Sequence, residues 1–167
     1  MEKRYRLEAW IVSACLIFVG VLALSAFLER DVLRLHILQS FIYVAVIWLT
    51  LRGSKWGDGI GISIAFLWDF YNVFTGFVFR AGFHQWSLLL HGKAPTNLVQ
   101  FSAPIAFFDH LVLIGLLAYS YAGRADRRWS DALGGLAALA GTFLYFAGII
   151  ALSWPQFLPR LRAHFGW

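Results

Sequence analysis

The sequence predicts an all-α integral membrane bundle of about five transmembrane helices, forming a single polytopic domain over residues 1–167. Three observations predict it. Of the 167 residues, 60% are hydrophobic and only 14% are charged, whereas soluble domains average about 25% charged. A soluble fold of this length has one modest core and cannot hide so many apolar side chains, but a bilayer can. The apolar residues fall in five runs, at 9–28, 35–51, 60–79, 103–121 and 133–154, each near the roughly 20 residues that cross about 30 Å of hydrocarbon. Helices are required there, because lipid leaves unpaired backbone amides without a partner and no alternating barrel-type strands occur.

The first run, Ala9–Leu28, follows Met1-Glu-Lys-Arg-Tyr-Arg6 and imitates a signal peptide, but it is nearer a full span than a signal core. It is expected to stay as an uncleaved helix. Ser13, Cys15, Gly20 and Ser25 are its only mild features, so it reads as scaffold. Cys15 is the single cysteine, which excludes a disulfide framework and a cysteine metal site within one chain.

The second run, Leu35–Leu51, is the shortest. With a helical step of about 100° per residue, His36, Gln39, Ser40 and Tyr43 share one face. The third, Ile60–Phe79, carries an acid at mid-span, Asp69, at a cost of roughly 2.5–3.5 kcal/mol on insertion scales. Gly61, Ala65, Asp69, Asn72 and Gly76 fall within an arc of about 80°, and Phe66, Phe70, Phe74 and Phe77 form a ridge opposite. Small residues let helices approach closely, so the Asp69 stripe faces protein and the phenylalanines face lipid or an outer helix. Gly57-Asp-Gly-Ile-Gly61 reads as a turn before this span.

The long connection 80–102 is expected to hold a short interfacial helix from Phe83 to His91, with Phe83, Trp86 and Leu90 toward lipid. His84, Ser87 and His91 share its other face. A wet, headgroup-facing surface accounts for His84 and His91 better than a two-histidine metal site. Pro95-Thr-Asn97 then turns the chain.

In the fourth run, Ala103–Tyr121, the face Ser102, Ala106, Asp109, Leu113 and Ser120 carries a second intramembrane acid. His110 points about 100° away from Asp109 and reads as a helix–helix hydrogen bonder. In the fifth, Leu133–Trp154, a small-residue seam of Gly134, Ala138, Gly141 and Gly148 is interrupted by the phenol of Tyr145. The tail, Pro155–Trp167, mixes Phe157, Leu161 and Phe165 with Arg160, Arg162 and His164 and reads as amphipathic.

Five spans place the termini on opposite sides. A cytoplasmic N-terminus puts Lys3, Arg4, Arg6, Arg52, Lys55, Arg124, Arg127 and Arg128 inside and Arg30, Arg34, Arg80, Lys93, Arg160 and Arg162 outside. This bias of eight to six favours a multi-pass protein of the cell membrane with its N-terminus in the cytoplasm and its C-terminus outside. Depth along the helices then brings Asp69, Asn72, Asp109, Tyr145 and the face of His36, Gln39 and Tyr43 to one level. Spans two to five are expected to enclose a polar pocket there, with Arg34 and Arg80 at its rim.

Several chemistries are excluded. Nucleophile elbows, phosphate-binding loops and dinucleotide glycine fingerprints are absent. No clustered histidine boxes occur, so no metal and no cofactor are expected. The net charge of +5 lies in short loops beside apolar runs, which suits anionic lipid headgroups and not nucleic acid. The sequence reading is therefore a small non-catalytic membrane protein. It is either an accessory subunit, in a larger complex or a homo-oligomer, or a binder of a lipid-like or small amphipathic molecule. Two alternatives stand beside it: a proton- or cation-coupled transporter component using Asp69 and Asp109, and a membrane enzyme with Asp/His acid–base residues on an apolar substrate.

Overall fold

A computed structural model describes residues 2–153, and every regular element among them is helical. The helices are α1 (Glu2–Leu28), α2 (Leu33–Leu51), α3 (Lys55–Phe74), α4 (Phe83–Leu90), α5 (Leu98–Ala122) and α6 (Ser130–Ser153). A 3-10 turn, Arg30–Val32, leads into α2, and a π-helical segment, Phe77–Gly82, joins α3 to α4. Four stretches are long and apolar enough to cross a membrane: α1, α2 with its 3-10 turn, α5 and α6. A fifth is added if α3 and the bent segment after it count as one span. Trp154 and the tail 155–167 lie outside the described residues.

Local chemistry sets the helix ends. Ser54 caps α3 by accepting a hydrogen bond from the Trp56 amide at 3.3 Å, and Asn97 caps α5 by accepting from the Gln100 amide at 2.8 Å. Such side-chain acceptors satisfy amides that a helix start leaves orphaned. Because of the Ser54 cap, α3 begins at Lys55 and takes in Gly57-Asp-Gly-Ile-Gly61, which is helix and not a turn. Those glycines serve close packing. A Cβ on Gly57 would stand 3.0 Å from the Thr50 amide nitrogen, and one on Gly61 would stand 2.5 Å from Leu117 Cδ1.

The third span is broken, contrary to the continuous helix expected over 60–79. Gly76 takes φ +77, the left-handed conformation that ends a helix at little cost only for glycine. The chain beyond it bends by 66°. Gly82 then sits so close to α5 that a Cβ there would lie 2.7 Å from Pro104 Cδ. The Trp86 indole donates to the Phe101 carbonyl at 2.9 Å, and Phe83 stacks on Phe79 at 5.5 Å. So Trp86 packs on α5, although the sequence pattern turned it toward lipid. Leu90 is 85% exposed.

Four helices form the core, each packed on the next: α1 on α2, α2 on α3, α3 on α5, and α5 back on α1. Ile11, Cys15 and Phe18 of α1 are fully buried there with Tyr43, Val46, Ile64, Ala65, Leu113 and Leu117. α1, read from the sequence as scaffold, is a wall of that core. α6 lies outside this ring against α3 and, to a lesser extent, α2. Its buried stripe is Ala138, Thr142, Phe146, Ile149 and Ile150, while Gly134, Gly141 and Gly148 face open space. The expected glycine seam is therefore only partly used. On α3 the pattern holds closely. Gly61, Ala65, Asp69 and Asn72 are buried, and Phe66, Phe70 and Phe74 stack along the exposed side at 6.2 and 5.9 Å.

Candidate functional site

The centre of the four-helix core holds a hydrogen-bonded chain of three side chains from three helices. His110 of α5 is fully buried. Its Nε2 lies 2.9 Å from the Tyr43 hydroxyl of α2, and its Nδ1 lies 3.1 Å from Asp69 Oδ1 of α3. Through its two ring nitrogens His110 therefore joins a carboxyl of α3 to a phenol of α2. Three aromatic rings surround the imidazole. Phe18 lies 4.1 Å from it, Trp68 meets it edge-on at 4.9 Å, and Tyr43 lies parallel to it at 5.8 Å. The rings and the two polar ends together fix the orientation of the imidazole. Asp69 Oδ2 is buried and has no hydrogen-bond partner among the described residues.

One helical turn away, toward the ends where α1 and α3 finish and α2 and α5 begin, lies a cavity of about 510 Å³. Asn72 follows Asp69 by three residues, Gln39 precedes Tyr43 by four, and both line the cavity. Trp68 lines it too while touching His110, so one indole is both cavity wall and relay wall. The walls come from α1, α2, α3, the π-helical segment, α5 and α6, the last through Phe146 and Ile150. Most lining groups are apolar. The polar ones are His36, Gln39, Tyr71, Asn72, Ser25, Ser102 and Thr75, with Glu29 and Arg80 among the lining residues from two connections.

Much of this polar set is already spent on backbone. Asn72 Nδ2 donates to the Trp68 carbonyl at 2.9 Å and Ser102 Oγ to that of Val99 at 2.9 Å. Gln39, only 5% exposed, keeps Oε1 without a partner, and His36 Nδ1 is also buried and unpartnered. Burying such atoms without a bond costs roughly 1–3 kcal/mol each. His36 and Gln39, on adjacent turns of α2, both line the cavity.

The candidates read from the sequence are thus divided. His36, Gln39, Asn72 and Arg80 line the cavity; Asp69 and Tyr43 join through His110 one turn deeper. Asp109 is not among the cavity-lining residues, and its Oδ2 is buried without a partner. Tyr145 donates to the Leu38 carbonyl and pins α6 to α2. Arg34 is exposed and does not line the cavity. The enclosure of the pocket by spans two to five is corrected: α1 supplies a wall, and α6 adds only two lining residues. His84 is exposed, and His91 turns its Nδ1 to the Ser87 carbonyl at 2.7 Å. No group of three or more His, Cys, Asp or Glu converges among the described residues.

His110 is the helix–helix hydrogen bonder that the sequence suggested, but its place at the centre of the site, and a second cluster of charges, were not read from the sequence. His110 belongs to the stripe Ala103, Ala106, His110, Leu113 and Leu117, whose alternating three and four spacing is a buried heptad face. The signal was therefore present, one residue away from the stripe drawn through Asp109. At the opposite end of the bundle Arg124 donates to Asp58 Oδ2 and to the Gly53 carbonyl, both at 2.7 Å. There Lys55 reaches Asp131 at 2.9 Å and Asp126 at 3.3 Å.

Comparison with protein-family models, curated proteins and solved structures finds no match to this chain.

Proposed function

We propose that the chain is a small, non-catalytic, multi-pass membrane protein that binds a lipid-like or small amphipathic molecule in the cavity between the helix ends. The observation that carries this reading is a cavity of about 510 Å³ with mostly apolar walls and a few polar side chains, His36 and Gln39 of α2 and Asn72 of α3 among them. Ligand sites have this composition and fall in the range of about 300–1,000 Å³. The basic-residue bias supports a cytoplasmic N-terminus, which puts the cavity in the outer half of the bilayer. His110 is fully buried, so the relay has no face for a substrate, which weighs against acid–base catalysis there.

The test is native mass spectrometry of the protein released from a mild non-ionic detergent. A retained small amphiphile is expected, and Gln39→Leu is expected to lose it while the unfolding transition stays cooperative. Retention by Gln39→Leu at the wild-type level would overturn the reading.

A second reading rests on the broken third span and the Asp69–His110–Tyr43 chain, since interrupted helices and buried acids recur in proton-coupled paths. Flux in proteoliposomes that Asp69→Asn abolishes would establish it over simple binding.

A further inference from the structure

We propose that the cavity selects a zwitterionic group, an ammonium and an oxyanion carried close together, with Glu29 taking the cation and Arg80 the anion. This rests on the binding reading above and adds the class of ligand.

Both charged residues line the cavity, and they reach it from separate connections. Glu29 stands between α1 and the 3-10 turn, and Arg80 stands in the π-helical segment after the break. Both are exposed. Neither side chain has a hydrogen bond or ion pair with any described residue. Of the other charges, Arg4 pairs with Glu8, Lys55 with Asp131 and Arg124 with Asp58, while Arg30, Asp31 and Arg34 beside Glu29 do not line the cavity. Two opposite, unspent charges are thus set around one apolar cavity.

The backbone break serves this arrangement. A Cβ on Gly76 would meet Arg80 Cδ at 3.0 Å and Nε at 3.4 Å, so the stem of Arg80 lies across the glycine that makes the bend. A side chain at 76 would displace it. Deeper in, the Gln39 and Asn72 side chains line the same cavity. A purely anionic ligand leaves Glu29 facing like charge, and a purely cationic one leaves Arg80 doing so. A neutral one leaves both unmatched. Charge-assisted bonds contribute about 1.5–3 kcal/mol, or roughly tenfold to a hundredfold in affinity. The same chemistry is found on an ethanolamine phospholipid headgroup and on a free small zwitterion.

The experiment is a titration of the full chain in non-ionic detergent, read by native mass spectrometry. The amphiphiles share one acyl length: acyl-glycerophosphoethanolamine, acyl-glycerophosphoglycerol, an alkyltrimethylammonium and a monoacylglycerol. Free glycerophosphoethanolamine is the non-lipid arm. The zwitterionic amphiphile is expected to bind about tenfold or more tighter than the other three. Glu29→Gln is expected to shift preference to the anionic amphiphile and Arg80→Gln to the cationic one. Both residues are exposed, and unchanged helix content and unfolding transitions confirm that each variant is folded. Binding by the free headgroup compound as tight as by its acylated form assigns the site to a small zwitterion; tighter acylated binding assigns it to a lipid. Equal binding of the monoacylglycerol and the zwitterion overturns the proposal and leaves the cavity as a general amphiphile site. No binding of any amphiphile overturns both.

Discussion

Replacing His110 with phenylalanine tests the core relay. Phenylalanine keeps an aromatic ring between Phe18 and Trp68, whose centroids lie 4.1 and 4.9 Å from the imidazole, so packing changes little. What it removes is two interhelical hydrogen bonds, to Tyr43 and to Asp69. Bonds of this kind in membrane bundles average about 0.6 kcal/mol and reach about 1.7. Two of them give about 1.2 kcal/mol at the mean and about 3.4 at the maximum. Asp69 already has one unpartnered oxygen and would then have two, so the upper half of that range is expected. Tyr43→Phe removes only the shared hydroxyl bond and should cost about 0.6–1.7 kcal/mol. The assay is reversible unfolding in mixed micelles with rising dodecyl sulfate, followed by tryptophan fluorescence. If the bond exists, Tyr43→Phe costs nothing more on the His110→Phe background. An unchanged Tyr43→Phe penalty on that background, meaning strict additivity, would refute the relay.

Gln39→Leu should raise stability by roughly 1–3 kcal/mol in the same assay, because it removes a buried acceptor with no partner, while abolishing ligand retention; a destabilised variant would show that Gln39 is structural. Gly76→Ala should cost about 1–2 kcal/mol, the penalty of a left-handed L-residue, and displace Arg80, read as a lower unfolding midpoint together with weaker amphiphile binding. Arg124→Ala should cost about 3–5 kcal/mol, because it strands Asp58, which is 2% exposed, without its partner. Adding Asp58→Asn to that variant should restore most of the loss, and failure to do so would show that the pair is not what holds that end together.

The α3 stripe was legible because small and polar residues contrast with a phenylalanine ridge on one continuous helix. The four-helix core was less so. Helical periodicity gives a face for each helix but not its neighbour, and α1 has too few polar groups to show that it packs inward. On α5 the conspicuous residue was Asp109, and charge drew the stripe through it. The alanines and leucines at heptad spacing put His110 there instead. Gly76 was ambiguous for a physical reason: a glycine in a span fits both close helix packing and a left-handed stop, and only the fold decides. The glycines of α6 illustrate the opposite error. They have the spacing of a packing seam, yet the helix is rotated so that Ala138 and Thr142 are buried. The Arg124–Asp58 and Lys55–Asp131 contacts were hidden because loop charges were read for orientation across a membrane and not for pairing.

The position of α6 has a consequence for biogenesis. Every residue of the four-helix core and of the relay precedes it in the chain, so that core can assemble while α6 is still being synthesised. The cavity cannot be finished then, because Phe146 and Ile150 arrive with the last described helix. Before α6 docks through Tyr145 onto α2, the relay is in place, but the core lacks Phe146, Ile149 and Ile150 and the cavity lacks two of its lining residues.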